Sequence, residues 1–191
     1  MPAENIQGDT SMPSNETVRH DSRSRVRSAV DALVREVTTR LGPGERASLR
    51  RLRPGCPTTP TFWILLSRVV EAHDAPPHDP EGLADWEQRW ASIARCVAEL
   101  ADLHSPTRPL GTALSEAQVS PERVVRLLGA RAPTLFDEIR RTGHLVLSRA
   151  TRLDLGDAAE MLRYDDGDRA DAVRRKVART YYAAENRKDS T

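Results

Sequence analysis

The side chains of this sequence best suited to chemistry are guanidinium groups, and four of them crowd one short segment. The segment Leu41–Gly55 reads LGPGERASLRRLRPG and carries Arg46, Arg50, Arg51 and Arg53. A guanidinium is planar, permanently charged and matched in shape to the oxygens of a phosphate. The chemistry that this segment predicts is therefore the binding of a phosphate backbone.

A short helix would have to position these arginines, and proline marks both of its ends. Pro43 stands where such a helix starts, and Pro54 stands where it must stop. Spacings of four and three residues put Arg46, Arg50 and Arg53 on one outward stripe. Leu49 and Leu52 fall on the adjacent face and would anchor the helix to a core. The sequence alone leaves a second interpretation open, in which this is a solvated surface helix of an arginine-rich protein.

Arginines recur in two later segments. Arg140 and Arg141 stand in the segment LFDEIRRTGHLVL, where neighbouring acids could hold either of them in a weak surface pair. In the last helix, Arg175, Arg179 and Tyr182 fall opposite the apolar stripe and would face solvent. Arginine beside an exposed aromatic ring combines phosphate pairing with base stacking. The competing interpretation is that cations near a helix C-terminus complement its dipole.

Catalytic and metal-binding patterns are weak by comparison. The sequence contains no P-loop, no GxSxG and no GxGxxG motif. His73, Asp74 and His78 carry metal-ligating groups but lie in a proline-rich loop, and metal sites need three or four ligands at defined spacing. We therefore predict a protein that is not an enzyme and uses no metal or cofactor.

The charge balance limits what the arginines can do. The chain has 191 residues, with 29 Lys and Arg against 28 Asp and Glu, for a net charge of +1. The whole protein is not a polycation, so a nucleic-acid surface must come from clustering. No apolar run approaches the ~20 residues of a membrane span, and the N-terminus lacks a signal-peptide pattern. We expect a cytoplasmic protein with no membrane partner.

Apolar residues recur at helical spacing along most of the chain, and no hairpin signal appears. The pattern predicts an all-α fold of two small helical bundles, residues 23–106 and 107–185, divided at the break Ser105–Pro109. Residues 1–22 are polar and aperiodic, which predicts a disordered tail. Residues 186–191 are predicted to form a frayed tail.

With these segments in order, the chain resembles the small subunit (CasB family) of the type I-E CRISPR Cascade surveillance complex. The likeness rests on four segments that follow one another with the right spacing. They are GPGERASLRR, PTTPTFWILL, LLGARAPTLFDEIRRTGHLVL, and LDLGDAAEMLRYDD followed by AVRRKVARTYYAA. Together they cover roughly residues 26–184.

The resemblance implies a non-catalytic, two-domain helical protein that works inside a larger complex. Its partners would be the crRNA-binding backbone subunits, the large subunit and a second copy of itself. Its basic surface would contact the displaced DNA strand and the crRNA–DNA hybrid of the R-loop and would lock the open state. Carried over segment by segment, the resemblance assigns nucleic-acid contacts to Arg46, Arg50, Arg51, Arg53, Arg140, Arg141, Arg174, Arg175 and Arg179. The alternative from another class is a helical protein–protein adaptor whose arginines are solvated or paired.

Overall fold

Helices make up most of the chain. The computed structural model describes residues 15–53, 55 and 59–188, with side chains from Arg25 onward. The helices are α1 (Asn15–Thr39), α2 (Pro43–Arg50), α3 (Pro60–Leu65), α4 (Pro80–Leu100), α5 (Leu110–Glu116), α6 (Pro121–Gly129), α7 (Thr134–Ser148), α8 (Leu155–Tyr164) and α9 (Gly167–Lys188). Within the described ranges, extended pairing is limited to a single bridge between His104 and Leu153. The all-α fold class is therefore confirmed.

Local sequence signals account for most helix boundaries. Proline, which has no N–H to leave unsatisfied, opens several of the helices: Pro43, Pro60, Pro80 and Pro121. Asp79 caps α4 by accepting from the Gly82 N–H at 2.6 Å. Helix α2 ends at Arg50, earlier than expected, because the Arg51 N–H closes the last turn on the Ser48 carbonyl at 3.2 Å.

Three features differ from the sequence expectations. Helix α1 begins at Asn15, inside the predicted tail, and the rest of that tail lies outside the described residues. Helix α9 continues to Lys188, past the predicted end at residue 185. Helix α5 is only seven residues long and was missed, because so short a segment shows little periodicity. It packs closely on α9 at Gly111, where an added Cβ would overlap the Val177 carbonyl oxygen.

One continuous apolar core runs through the described helices. Helix α8 packs against α1 and α4 on one side and against α9 on another. Trp86 and Trp90 of α4 are 1% and 0% exposed and are the largest fully buried side chains of this core. The division into two bundles stays a prediction, and helices from both halves share the core. No helix in the described part of the chain is both long and apolar enough to cross a membrane.

A buried polar network ties α8 to its neighbours. Arg27 of α1 donates to Asp154 and Asp157 and to Oε2 of Glu160 at 3.0 Å. Lys176 of α9 donates to Oδ1 of Asp157 at 2.7 Å. Burial opposes ionisation of Asp157, but hydrogen bonds from Lys176 and from the Leu110 N–H hold its pKa below the ordinary value. The LDLGDAAEM segment therefore has a structural role, because its acidic side chains hold α8 against α1 and α9.

Candidate nucleic-acid interface

Two of the four arginines of the first segment are anchored to the end of α4. Arg46 donates from Nη2 to Oδ2 of Asp102 at 2.9 Å, and its side chain is only 20% exposed. Arg50 donates from Nε to the Ala98 carbonyl at 2.9 Å, in the last turn of α4, where a cation complements the helix dipole. The expectation that the whole stripe faces outward is therefore wrong for Arg46. Arg50 retains only its remaining donors for a ligand.

Arg51 and Arg53 flank a leucine side chain that is buried in the core. The Leu52 side chain between them is 1% exposed, and its carbonyl accepts from Nη1 of Arg95 at 3.1 Å. Both flanking arginines are exposed. Neither guanidinium has a carboxylate partner among the residues that the structure describes. Among the described residues, these two cations therefore have no acid partner and flank a leucine anchored in the core.

Arg95 carries this cationic surface from α2 to α7. Its guanidinium carbon lies 5.2 Å from the centroid of the Phe136 ring on α7, and its Nε donates to Oε1 of Glu99 at 3.2 Å. Arg140 follows Phe136 by one helical turn and so lies on the same face of α7. Arg140 is half-buried, and within the described ranges its guanidinium has no acid partner.

We call the patch of Arg51, Arg53 and Arg140 the α2–α7 surface; Arg95, 23% exposed and paired with Glu99, joins its two parts. The sequence analysis missed Arg95, which stands in the middle of an amphipathic helix and outside the arginine-rich segments. Its only sequence signal is the spacing of four to Glu99, which is typical of an ordinary surface pair. Only the packing of α4 between α2 and α7 places it at the junction.

Arg141 forms a weak ion pair on the surface of α7. Its side chain is 63% exposed, and its Nη1 donates to Oε1 of Glu138 at 2.9 Å, one turn earlier on α7. An exposed pair of this kind contributes at most about 1 kcal/mol and exchanges readily. Arg141 is therefore accessible to a ligand but carries a neighbour of opposite charge.

A second set of exposed cations lies on α9. Arg175, Arg179 and Tyr182 face outward, as the spacing predicted, while Tyr181 is buried at 0% exposure. The Tyr182 ring is 43% exposed and packs edge-on against Tyr181 with 5.1 Å between ring centroids. We call Arg175, Arg179 and Tyr182 the α9 surface. It combines two cations that have no acid partner in the described part of the chain with a ring held at a fixed angle.

Arg174 does not belong to either surface. The residue is 6% exposed, and its Nη2 donates to the Ala130 carbonyl at 3.1 Å. Burial and the nearby charge of Arg131 lower its pKa, against the opposing effect of Asp165 and other acids. It follows Val173 on the flank of α9 that packs against the α6–α7 connection. Burial therefore disfavours the assignment of Arg174 to nucleic acid, which stays a prediction.

Asp74, one of the metal-ligating side chains considered from the sequence, has a structural role. Asp74 accepts hydrogen bonds through Oδ2 from the indole nitrogens of Trp86 and Trp90, both at 2.9 Å. A third donor, Nε of Arg163, lies 2.7 Å away. Within the described residues, no group of three or more His, Cys, Asp or Glu side chains is arranged to hold a metal ion.

Comparison with solved structures gives the class of protein first. The chain matches CasB from M. ruber with a TM-score of 0.67 and 23% identity, over 85% of this chain and 97% of that one. It matches CasB from Thermobifida fusca with a TM-score of 0.57 and 22% identity, over 86% and 97% of the two chains. At these identities the likeness establishes a CasB-like helical fold.

The family follows from the sequence. The family model of CRISPR-associated protein Cse2 matches residues 45–182, so this chain belongs to the Cse2 family. The matched range includes both the α2–α7 surface and the α9 surface. No curated protein matches the chain.

Proposed function

We propose that this chain is the non-catalytic small subunit of a type I-E CRISPR Cascade complex, and that it binds nucleic-acid backbone to stabilise the displaced strand of the R-loop. Membership of the Cse2 family supports a place in Cascade. Its partners in the cytoplasm are the crRNA-binding backbone subunits, the large subunit, a second copy of the chain, the displaced strand and the crRNA–DNA hybrid. The observation that carries the nucleic-acid role is the pair Arg51 and Arg53, exposed on both sides of buried Leu52.

The physical demands of the task match this surface. A displaced strand has variable sequence, so a protein that holds it must contact the backbone. Base pairing with the guide supplies specificity. Guanidinium groups anchored through Leu52 and Arg95 lose less conformational freedom on binding than groups on a mobile loop. Because the displaced strand is available only in the open state, binding it shifts the equilibrium toward that state.

We rank the proposed contacts by the exposure and the internal partners of each arginine. The α2–α7 surface comes first because buried Leu52 anchors it, and the α9 surface comes second; Arg175 and Arg179 lie in the middle of α9, more than two turns before its end at Lys188. Arg50 and Arg141 contribute the donors that their internal partners leave unused. Arg46 supports α2 through Asp102 and is not a primary contact.

The test removes the two exposed cations of α2 and compares them with an equal loss of charge elsewhere. Cascade reconstituted with Arg51→Ala and Arg53→Ala should assemble normally but protect the displaced strand about tenfold less in permanganate footprinting, as expected for two charge-assisted contacts. The matched control is Arg123→Ala with Arg126→Ala, two exposed arginines on α6. Full protection by the first variant, or equal losses in both, would contradict the proposed contact.

Two ion pairs favour the alternative function, that of a helical protein–protein adaptor. Arg46 with Asp102 and Arg141 with Glu138 are internally neutralised arginines, as a protein with a solvated surface would have. An adaptor of this kind predicts that arginine variants change assembly of the complex and leave strand protection per assembled complex unchanged. The same reconstitution therefore separates the two functions.

A further inference from the structure

One of the chain's three tryptophans differs from the others in its surroundings. Trp86 and Trp90 are 1% and 0% exposed. Trp63 on α3 is 40% exposed, and its neighbour Ile64 is 51% exposed. The Trp63 ring packs edge-on against Phe62, with 5.2 Å between ring centroids and an interplanar angle of 61°. Because Phe62 is buried, it holds the indole ring of Trp63 in place from the core side, and the solvent side of the ring stays exposed.

The helix that carries Trp63 continues into a π-turn, Leu66–Val70. The turn is closed by the Glu71 N–H, which donates to the Leu66 carbonyl at 3.0 Å. Single π-turns inside helices are frequent at functional sites. Leu66 and Val70 are buried, while Arg68 is exposed five residues after Trp63. The exposed residues of this helix and π-turn therefore include an indole and a guanidinium within about two turns of each other.

Arg68 is one wall of a surface groove between α1 and this π-turn, which we call the α1–α3 groove. Arg35 and Arg40 form the facing wall. Glu36 lies between them, 16% exposed, and its Oε1 accepts from Arg40 at 2.7 Å and from Arg68 at 3.5 Å. Arg40 and Arg68 remain 65% and 57% exposed. Arg35 is exposed and has no acid partner among the described residues.

The α1–α3 groove therefore carries a net positive charge, and part of that charge is fixed in position. Three guanidinium groups line it against one carboxylate. The carboxylate lies beneath the arginines and tethers two of them, which leaves their outer N–H groups directed to solvent. Tethered guanidinium groups suit successive phosphates, and an open indole suits a base of any sequence.

We propose that Trp63 and the α1–α3 groove form a binding site for single-stranded nucleic acid that is separate from the α2–α7 surface. One base stacks on the indole, and the adjoining phosphates lie on Arg35, Arg40 and Arg68. The excess positive charge beside the ring favours a polyanion over an apolar protein segment. The site is independent of the Cascade role, since any single strand offers the same chemistry.

Tryptophan fluorescence tests this site directly, because Trp63 is the exposed indole. An oligothymidylate of about twenty nucleotides, longer than the strand length that one such site covers, should quench the emission of the isolated full chain at low salt. Trp63→Phe retains the buried Trp86 and Trp90 and should show no quenching. An abasic oligonucleotide of the same length should bind and give no stacking quench.

The arginines are tested by affinity and salt dependence. Replacing Arg35, Arg40 and Arg68 with alanine should weaken the affinity read from Trp63 quenching about tenfold and lower the salt slope by about 2, since each phosphate contact on a single strand contributes about 0.7. If that variant loses helical circular dichroism, Arg35→Ala alone should weaken binding about threefold, the value of one hydrogen bond. The variant Arg51→Ala with Arg53→Ala should leave this quenching within about twofold of wild type, because distant sites act independently.

Two results would overturn the proposal. Equal quenching of wild type and Trp63→Phe would show that no base stacks on Trp63. Absence of quenching by the oligonucleotide, with a blue shift of Trp63 only when other protein subunits are added, would assign the patch to a protein contact. A normal result here together with failure of the Arg51 and Arg53 footprinting test would leave this site standing and remove the α2–α7 surface.

Discussion

Nε of Arg163 lies 2.7 Å from Oδ2 of Asp74, which joins α8 to the segment that precedes α4. The same oxygen accepts the indole N–H groups of Trp86 and Trp90. One carboxylate therefore satisfies two polar atoms inside the core and a cation at its edge. A buried donor that has lost its acceptor is costly, so Asp74 fixes how the two largest core side chains sit.

Asp74→Ala should destabilise the fold by about 2–4 kcal/mol, because it leaves two buried indole N–H groups unsatisfied. Asp74→Asn keeps an acceptor and should cost roughly half as much. Urea denaturation followed by circular dichroism measures both. Asp85→Ala is the control, since Asp85 pairs with Arg89 on the surface and is 54% exposed. Equal effects of Asp74→Ala and Asp85→Ala would refute the buried role of Asp74.

Asp157 should make stability depend on acid. Its pKa is below the ordinary value in the folded chain, so the folded state favours the carboxylate. Its contribution is present at neutral pH and is lost as the pH falls below about 4, the unfolded value, toward the lower folded value. Asp157→Asn should cost about 1–3 kcal/mol near pH 7, because Lys176 loses its charged partner while Arg27 keeps Asp154 and Glu160. The gap between wild type and variant should narrow in unfolding experiments at lower pH, and a gap that is constant with pH would contradict the assignment.

Gly111→Ala should separate α5 from α9. The added Cβ would overlap the Val177 carbonyl oxygen and come within 2.7 Å of the Tyr181 nitrogen, both on backbone that cannot move aside cheaply. We expect a loss of about 1–3 kcal/mol, typical of overpacking, measured as a lower Tm. Gly129→Ala, where nothing lies within 4 Å of the added Cβ, is the control. It should be neutral or slightly stabilising, because alanine favours the helix more than glycine does, and a similar loss there would show that the close contact at Gly111 does not set the effect.

Arg174 and Arg175 should behave oppositely despite being adjacent. Arg174→Met removes a buried charge and should leave the affinity for single-stranded DNA within about twofold of wild type, because the side chain lies away from the surface. Arg175→Ala with Arg179→Ala should weaken binding and lower the salt slope by about 1.4, which is the expected loss of two phosphate contacts. Filter binding at several salt concentrations gives both values. A large loss of affinity in a well-folded Arg174→Met protein would return this residue to the interface.

The local spacing of residues predicted which side chains are buried more reliably than it predicted which arginines are accessible to a ligand. The spacing of Leu49 and Leu52 predicted an anchored α2, and both are buried, at 0% and 1% exposure. The fate of Arg46 was decided by Asp102, 56 positions away in sequence. No periodicity within α2 carries information about that partner.

The same limit applies to α9 and α4. Arg174 lies beside the buried stripe, and only the position of the Ala130 carbonyl shows that its guanidinium is enclosed. Arg95 joined the candidate surface because Phe136 packs on it from another helix. Long-range packing selects among cations that are equivalent in local sequence, which is why the helices were predictable and the composition of the surface was not.

The shared core around α8 sets a geometric limit on any strand that the protein holds. Because α8 packs against α1, α4 and α9 at once, the two arginine surfaces cannot slide relative to each other without breaking close-packed contacts. The packed helices therefore keep the exposed arginines at fixed distances from one another. A polynucleotide that engages both surfaces, as we propose, must adopt their spacing, so that the protein sets the path of the strand.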